Sequence, residues 1–480
     1  MNRLWVAIAC GGTGGHLFPG IAVADELLVR GHGVMLLVSD KDLDHQIVKN
    51  WNHRVREPRN GVNEESKTAI TVLPAVGLQT GNRLAFVRGF VRSYLEARQL
   101  FGKTIPQAVL GMGGFTSAPA LLAAKRCGIR TFLHESNRVA GRANRWFSRV
   151  VDGTFAGFPN TLGLKTRTIR KTGTPVRTEF DRTRMFRVIR RNDDCSEEVY
   201  EVSYEPAVAG AAAGFGNAKA GWFDFPAMLG ASLSGSGGHS AAGSVGVLDS
   251  DSQSYGSELE SDHLGFRSRT TIRTSEKESE LGAHCRTLLG LEASRPLIVV
   301  MGGSQGASGL NELVMHALPV VANAAPDLQW FHLTGPNDAN KVQAAYDRLH
   351  LRGIVHPFFD QMELALGAAT VAVSRAGASS LAELAAMRVP SVLVPYPAAT
   401  DNHQYYNAQA FVRTGAARMV QQRNATGDEL AWLILGLLAH PETREQMQQA
   451  LSRWHSPRAA EEIVEEILNQ NESRHNAVGR

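Results

Sequence analysis

The chain has 480 residues, 43% of them hydrophobic, and a formal net charge of +4. This length exceeds what one ordinary hydrophobic core organises, so two or three domains are expected. Its longest apolar run, residues 431–439, is too short to span a bilayer, and its four cysteines are scattered, which excludes a CxxC metal motif and favours a reducing compartment.

The first apolar run, Leu4 to Ala9, is followed by Cys10 and has some likeness to a lipoprotein signal. It is shorter than the apolar core of such signals, and glycines follow at once. A buried first strand is therefore the preferred interpretation.

Strand-like and helix-like segments alternate from the start of the chain to about Pro175. The predicted strands are Leu4–Ala9, Val34–Ser39, Gln107–Met112 and Arg130–Glu135, and the predicted helices are 19–30 and 116–126. This alternation predicts a parallel sheet covered by helices on both faces.

Periodicity is lost between about residues 186 and 281. Glycine, alanine and serine dominate residues 210–246, and an acidic, serine-rich run follows at 249–262. Between Asp193 and Glu280 there are fifteen acidic and five basic residues, so this stretch carries −10 and the rest of the chain +14. We predict a disordered insertion at 186–281. The basic remainder suits diphosphates or an anionic membrane surface, and no motif indicates nucleic acid as a partner.

After the insertion the alternation resumes. The predicted elements are strands at Leu297–Met301, Gln329–Leu333, Thr370–Ser374 and Ser391–Val394, and an amphipathic helix from 457 to about 469 before a fraying polar tail. We therefore expect two Rossmann-like, doubly wound α/β domains, 1–177 and 282–456, that face each other across a cleft. Ligands in such sheets bind beyond the carboxyl ends of the strands.

The segment Gly11–His16 directly follows the first strand and opens a helix. Its glycines allow close approach of the backbone, and helix-terminal N–H groups bind anions. His16 can bind a phosphate or accept a proton from an attacking hydroxyl, although a solvated histidine without a chemical role is the alternative. Asp40 ends the second strand, where a dinucleotide ribose would lie, but the glycine spacing is not GxGxxG.

A second set of candidate ligand groups follows successive strands of the C-terminal half. Gly302–Gly306, with Ser304, can wrap a diphosphate. The segment Ser374–Ser380 opens the helix that carries Glu383, whose carboxylate can hold a ribose diol. Asp401–Gln404 forms a polar loop suited to a sugar. Each segment alone has an ordinary structural explanation, but their recurrence at successive strand ends predicts one binding site.

Six motifs, in this order, resemble those of the peptidoglycan lipid I N-acetylglucosaminyltransferases. They are Gly11–Gly20, Gly111–Phe115, His134–Asn137, Gly173–Arg177, Gly302–Ala307 and Asp401–Tyr405. The resemblance covers essentially the whole chain except the insertion. It implies a GT-B fold with helix 457–470 packed back on the first domain. The implied reaction is inverting transfer of N-acetylglucosamine (GlcNAc) from UDP-GlcNAc to the muramoyl 4-hydroxyl of lipid I, forming lipid II.

The resemblance also implies substrate contacts by motif position. The residues so placed are Thr13, Gly14, Gly15, Asn137, Arg177, Ser304, Phe359, Ala378, Ser379, Ser380, Leu381, Ala382, Glu383 and Gln404. The first glycine turn would face the reacting sugar and the lipid diphosphate, while Asn137 and Gln404 would contact the GlcNAc. Arg177 and Ser304 would lie on the diphosphate side of the donor. Phe359 would bind uracil through backbone groups, and 378–383 would line the phosphates and ribose.

Inverting transfer needs one general base and electrostatic support for the departing UDP. His16 is the first choice of base, and the pair His134 and Glu135 is the second. Helix starts and Arg177 would stabilise the diphosphate without a metal or other cofactor. The triplet Asp249–Asp251 is not counted as a metal site because it lies in the low-complexity stretch.

The chain departs from the family pattern at four motif positions. Thr174 and Ser136 replace the usual Asn and Gln, and Asn402 and His403 replace a common Arg–Gln pair. These exchanges are polar for polar, so we expect tuned contacts and retained activity. The insertion is the larger departure, and a solvent-exposed tether is preferred over a cover for the cleft.

The segment Arg83–Arg92 combines apolar and cationic faces at helical spacing, as an interfacial helix does. A core helix with outward arginines fits the pattern equally well. The resemblance, with its lipid-linked acceptor, implies a peripheral enzyme on the cytoplasmic face of the inner membrane, with cell-wall assembly proteins as further partners.

Two alternatives remain open at this point. One is another GT-B nucleotide-sugar enzyme, either a glycolipid glycosyltransferase or a UDP-GlcNAc 2-epimerase. The epimerase would need acidic catalytic groups and no lipid-facing surface. The other is a non-catalytic scaffold that recruits partners through Trp222–Phe225, which the intact glycine turns and His16 argue against.

Overall fold

A computed structural model describes residues 3–56, 68–75, 83–166, 168–182, 185, 276–303 and 306–478. Most of the predicted insertion lies outside these residues, as do Ser304, Trp222–Phe225 and Asp249–Asp251.

The N-terminal lobe is a parallel sheet of seven strands with helices packed against it. Its strands are β1 (Trp5–Ala9), β2 (Gly33–Ser39), β3 (Thr68–Leu73), β4 (Ala108–Gly111), β5 (Arg130–Glu135), β6 (Gly153–Ala156) and β7 (Ile169–Lys171). Its helices are α1 (Gly14–Val29), α2 (Asp42–Arg56), α3 (Arg83–Lys103), α4 (Gly114–Arg126) and α5 (Arg142–Phe147). The strand order is β3-β2-β1-β4-β5-β6-β7, which places β1 at the point where the order reverses. Ligand crevices in doubly wound sheets lie at that point.

The C-terminal lobe repeats the plan with six parallel strands. Its strands are β8 (Leu297–Met301), β9 (Gln329–Leu333), β10 (Arg352–His356), β11 (Val371–Ser374), β12 (Ser391–Leu393) and β13 (Arg418–Met419). Its helices are α6 (Glu276–Leu288), α7 (Ser308–Ala324), α8 (Ala339–Arg348), α9 (Met362–Ala368), α10 (Ala378–Met387), α11 (His403–Arg413), α12 (Gly427–Ala439) and α13 (Pro441–Ser452). The order β10-β9-β8-β11-β12-β13 again reverses at the first strand of the lobe, β8.

Each sheet is buried on both faces because its central strands are apolar at every position. Along β1, Val6 and Ile8 point into one hydrophobic cluster, while Ala7 and Ala9 point into the cluster on the other face. Strand β8 divides its side chains between two clusters in the same alternating way. The predicted two doubly wound α/β lobes are therefore confirmed.

The final helix, α14 (Ala459–Val478), belongs to the core of the N-terminal lobe. Its side chains Ile463, Val464 and Ile467 are fully buried in the cluster that contains Val6 and Ile8. The polar tail that we expected to fray continues this helix as far as Val478. None of the described helices is long and apolar enough to cross a membrane.

Helix α1 begins five residues earlier than predicted, at Gly14, and carries Pro19 in its interior. Proline has no N–H, so the carbonyl of Gly15, four residues before it, is left without its usual helical partner. Residues Gly14–His16 of the first glycine turn are therefore part of the helix. The Gly15 carbonyl can accept a hydrogen bond from outside the helix.

Candidate active site at the glycine turns

The first glycine turn is held from beneath by a buried carboxylate. Gly12 has a left-handed backbone (φ +110°) and donates its N–H to Asp44 Oδ2 at 2.7 Å. The same oxygen accepts from the hydroxyl of Ser39 at 2.6 Å. Lys41 Nζ donates to the Gly12 carbonyl at 2.6 Å, so the peptide units on both sides of the Gly12 Cα are fixed. Because only glycine adopts this φ without strain, the turn needs Gly12.

The groups of the turn that a ligand can reach lie at the start of α1. Thr13 is the N-cap residue, and its hydroxyl makes no capping hydrogen bond. Its carbonyl accepts from the N–H of His16 and of Leu17. The N–H groups of Gly14 and Gly15 have no carbonyl partner within the helix, because they precede its first hydrogen-bonded turn. Anion binding at this helix start stays a prediction, and these N–H groups are the donors that it would use.

A second glycine turn, Gly113-Gly114, packs face to face with the ring of His16. A Cβ built on Gly113 would lie 2.9 Å from Cε1 of His16, and one built on Gly114 would lie 3.0 Å from its Cδ2. Thr116, in the helix that follows, donates its hydroxyl to the Gly11 carbonyl at 2.9 Å. The two turns therefore form one unit, and a side chain in place of either glycine would displace the imidazole.

The ring of His16 is oriented by one backbone bond. Its Nδ1 donates to the carbonyl of Met112 at 3.0 Å, which leaves Nε2 as the lone-pair nitrogen. Burial lowers the pKa of His16, and the carboxylate of Glu135 opposes this only in part. A neutral imidazole with a fixed tautomer is the state that a general base requires.

His134 and Glu135, the second candidates for the base, are used inside the protein. Both ring nitrogens of His134 are engaged, Nε2 with the Gly173 carbonyl at 2.9 Å and Nδ1 with the hydroxyl of Ser136 at 3.2 Å. Glu135 accepts from the N–H groups of Asn137 and Gly141 and from the side chain of Asn144, at 2.8 to 2.9 Å. These bonds fix the loop that follows β5.

On the C-terminal lobe, the loop before α7 is clamped by a buried polar network. Asn311 donates to the Thr334 carbonyl at 2.9 Å, and its Oδ1 lies 3.1 Å from Nε2 of the fully buried His332. Burial lowers the pKa of His332 to about 3, so this ring is neutral and structural. Gly306 packs against Gly335 so closely that a Cβ would lie 2.6 Å from the Cα of Gly335. The neighbouring Ser304 lies beyond the described residues.

The start of α10 presents unpaired amides. Its first intrahelical bond is from Leu381 N to the Gly377 carbonyl, so the N–H groups of Ala378, Ser379 and Ser380 have no partner within the helix. Leu381 is buried, while Ala382 and Glu383 are half-buried. Gln404 is turned inward, where its Oε1 accepts from Tyr396 N at 3.0 Å and Ala376 N at 3.3 Å.

Glu383 and Arg177 form the charged wall beside this helix. Burial raises the pKa of Glu383 to about 7, with Arg177 opposing the shift and Glu363 adding to it. Arg177 is 9% exposed, and its guanidinium lies 4.7 Å from the ring centroid of Phe18 and 3.8 Å from Glu363 Oε2. The guanidinium therefore lies beside acidic groups at the position where the sequence predicts a diphosphate contact.

Phe359 lies in an aromatic group at the end of β10. Its ring centroid is 5.0 Å from that of Phe331 and 5.8 Å from the nearly parallel ring of His356. The side chain is occupied by this packing, which is consistent with a backbone role for the residue.

Cross-lobe contacts bring the two halves of the candidate site together. Ser379 donates its hydroxyl to the Gly15 carbonyl at 3.0 Å. Asn407, fully buried in α11, accepts from Arg138 N at 2.9 Å and donates to Asn137 Oδ1 at 3.0 Å and to the Ala376 carbonyl at 3.1 Å. The structure thus joins the first glycine turn, the Asn137 loop and the start of α10.

Sequence reasoning missed several residues of this site. They are Lys41, Asp44, Thr116, Asn144, Asn311 and Asn407. Two of them have a signal in the sequence that could have indicated a role in the site. Asp44 lies in the first turn of a helix that follows a strand end, and Asn407 lies one helical turn after Gln404. Among the described residues, no cluster of three His, Cys, Asp or Glu side chains could hold a metal ion.

Two parallel α/β lobes that meet at the carboxyl ends of their strands form the GT-B fold. Residues 6–156 match the N-terminal domain of glycosyltransferase family 28, and residues 297–463 match its C-terminal domain. A relative from Anaeromyxobacter sp. (strain Fw109-5) is 30% identical over 463 residues, which cover 95% of this chain and 91% of the relative. It is a UDP-N-acetylglucosamine–N-acetylmuramyl-(pentapeptide) pyrophosphoryl-undecaprenol N-acetylglucosamine transferase. The chain belongs to this transferase family.

Solved structures support the fold. The crystal structure of Acinetobacter baumannii MurG is 23% identical, has a TM-score of 0.58, and the match covers 98% of this chain and 100% of that one. The UDP-GlcNAc 2-epimerase from Neisseria meningitidis, bound to UDP-GlcNAc, is 10% identical with a TM-score of 0.55, covering 97% and 100%. At these identities both similarities show the shared fold alone.

Proposed function

We propose that the protein transfers GlcNAc from UDP-GlcNAc, with inversion, to the muramoyl 4-hydroxyl of undecaprenyl-diphospho-muramoylpentapeptide. The donor and acceptor classes are those in the name of the Anaeromyxobacter relative. The observation that carries the chemistry is the neutral, oriented imidazole of His16, in a turn that contacts the start of α10 through Ser379.

His16 acts as the general base through Nε2. This nitrogen takes the proton of the acceptor hydroxyl while the hydroxyl oxygen bonds to the anomeric carbon of GlcNAc. The bond between that carbon and the β-phosphate oxygen breaks, and its electron pair leaves with UDP. The imidazolium then loses its proton to solvent. The engaged ring nitrogens of His134 support His16 as the base and a positioning role for His134 and Glu135.

The donor binds mainly to the C-terminal lobe. The unpaired amides of Ala378 to Ser380 stabilise the charge that develops on the diphosphate, in the manner of other helix N-termini. Glu383 as a carboxylate accepts hydrogen bonds from the ribose diol, Ser304 and Arg177 complete the diphosphate side, and Leu381 and Ala382 form the wall behind it. Uracil binds to the backbone at Phe359, and the sugar meets Asn137 and Gln404. This scheme uses no metal or other cofactor.

The acceptor binds the N-terminal lobe, with its diphosphate at Thr13, Gly14 and Gly15. Domain 1–177 is thus the acceptor side, to which helix 457–470 adds, and domain 282–456 is the donor side. The free amides at the start of α1 and the uncapped Thr13 hydroxyl support this assignment. Capture of a lipid-linked acceptor places the enzyme at the cytoplasmic face of the inner membrane, close to proteins of cell-wall assembly.

Helix α3 is the surface that we assign to the membrane. Leu84, Val87, Val91 and Leu95 are 47% to 76% exposed and recur at helical spacing on one side. Arg88 and Arg92 are exposed beside them. An apolar stripe flanked by cations suits insertion into an anionic lipid interface.

The direct test is to incubate the purified protein with UDP-GlcNAc and a short-chain lipid I analogue. We expect UDP release that depends on the acceptor, and a disaccharide product with a β-linkage. A metal chelator should not change the rate of the reaction. UDP release that is the same without acceptor, or conversion of UDP-GlcNAc to its 2-epimer, would overturn the proposal and favour the epimerase.

A further inference from the structure

An ion pair joins the two lobes at the edge of the cleft. Arg145, in α5 of the N-terminal lobe, forms a salt bridge with Asp401 Oδ2, and Arg142 approaches Asp401 Oδ1 at 3.6 Å. Asp401 lies in a short 3₁₀ turn, Thr400–Asn402, immediately before α11 of the C-terminal lobe. The side chains of Arg145 and Asp401 are 38% and 30% exposed, so the pair is only partly screened by water.

The acidic partner stands in a left-handed turn. Asp401 and the next residue, Asn402, both have left-handed φ angles, +51° and +53°. Asp and Asn adopt this region more readily than other non-glycine residues, but it is sparsely populated, and two such residues in succession gain from contacts that hold the turn. The turn sets where α11 begins, and therefore where His403 and Gln404 lie. The ion pair with Arg145 is a contact from the opposite lobe that supports this conformation.

The basic partner is prepared for the contact within its own lobe. Gly163 has a φ of +90°, and a Cβ there would lie 2.9 Å from Cδ of Arg145. The aliphatic stem of Arg145 is thus packed against a glycine turn, which limits the conformations of the side chain. A preoriented arginine loses less entropy when it pairs than a free one does.

We propose that Arg145 is a positioning residue that acts through Asp401. It holds the Asp401–Asn402 turn in its left-handed form and so fixes the sugar-facing edge, His403 and Gln404. The inference builds on the proposed function, since it takes the bound sugar to be that of UDP-GlcNAc. It predicts that the ion pair controls binding of the intact donor more strongly than binding of UDP alone.

The test is a charge-swap cycle with the variants Arg145→Glu, Asp401→Arg and their combination. We expect each single variant to raise the KM for UDP-GlcNAc about 10-fold with kcat changed less than threefold, because a partly exposed pair gives an effect of about this size once repulsion replaces attraction. The double variant should recover at least half of the loss. Arg149→Glu, the same charge change at an exposed arginine four residues along, is the matched control and should leave the KM unchanged.

Calorimetry with UDP-GlcNAc and with UDP, in the absence of acceptor, separates this inference from the proposed function. Affinity for UDP-GlcNAc should fall in the single variants and recover in the double variant, while affinity for UDP stays within twofold. Additive losses in the double variant, or an equal loss for UDP, would overturn the positioning role. An inactive wild type that still shows the charge-swap pattern would overturn the transferase proposal and leave the ion pair standing.

Discussion

The hydroxyl of Ser379 reaches across the two lobes and donates a hydrogen bond to the carbonyl of Gly15 at 3.0 Å. This carbonyl has no hydrogen-bond partner within α1, because Pro19, four residues later, has no N–H. A proline inside a helix normally costs stability, so its presence here has a local use. The missing N–H leaves the Gly15 carbonyl able to accept a hydrogen bond from Ser379, in the first turn of α10.

Replacing Pro19 with Ala should give the Gly15 carbonyl a hydrogen-bond partner within α1. The new N–H of residue 19 would compete with Ser379 for the Gly15 carbonyl, so we expect the KM for UDP-GlcNAc to rise about threefold and the melting temperature to stay level or rise. Ser379→Ala is the companion variant, and adding Pro19→Ala to it should change little further. Steady-state kinetics on the four proteins measures this coupling, and fully additive effects would show that the two residues act separately.

His16→Ala should lower kcat by a factor of about 10² to 10⁴, the usual contribution of a general base. Affinity for UDP, measured by calorimetry, should stay within twofold because we assign His16 to the lobe that binds the acceptor. His134→Gln serves as the comparison, since His134 is engaged by Gly173 and Ser136 and should lower the melting temperature more than His16→Ala does. A His16 variant with wild-type kcat would exclude this residue as the base.

Glu383 gives a specific pH dependence. Its pKa is raised to about 7, so the carboxylate is lost as the pH falls through 7. Because we propose that this carboxylate binds the ribose, the KM for UDP-GlcNAc should rise below that pH. The stability effect has the opposite direction. A raised folded-state pKa favours folding at low pH, and that contribution is lost as the pH rises from about 4.5 through 7.

Glu383→Gln should therefore flatten the pH profile of the KM and raise the melting temperature at pH 8 more than at pH 5. Thermal unfolding followed by fluorescence at both pH values tests the second effect. An unchanged KM profile in this variant would assign the titration to another group.

The exposed stripe on α3 can be tested with vesicles. Val87→Glu combined with Val91→Glu should weaken binding to phosphatidylglycerol vesicles at least 10-fold, because acids replace apolar groups that would enter the interface. Activity on a water-soluble acceptor should be unchanged. Val29→Glu is a matched control, since Val29 is 77% exposed but lies on another helix. Equal binding by all variants in a cosedimentation assay would place the membrane surface elsewhere.

The sequence predicted the strands whose pattern of apolar and polar residues lies within a few consecutive positions. Strands β1, β2 and β8 are short, mainly apolar runs, and β5 places an apolar Phe-Leu pair between polar ends. The structure has all four strands within one residue of the prediction. The strands that were missed include β3, β7 and β10, which have half-buried or exposed positions and mixed polarity. An edge strand need not be apolar on both faces, so its sequence resembles that of a loop.

The same distinction applies to the candidate site. Glycine turns and helix starts were recognisable because their chemistry lies within a few consecutive residues. Asp44 and Gly12 are 32 positions apart, and Asn407 and Asn137 are 270 apart. A motif within a single segment does not predict such partners, because each pair is brought together by the packing of separate helices and strands.

Helix α14 has a consequence for how the protein is made. The N-terminal lobe takes Ile463, Val464 and Ile467 into its core, although they follow the whole C-terminal lobe in the sequence. During synthesis, the N-terminal lobe therefore cannot complete its core until the C-terminal lobe has been made. Until that moment it exposes the apolar surface of β1 and α1 to chaperones, and an early stop codon after residue 456 would damage the lobe farthest from it in sequence.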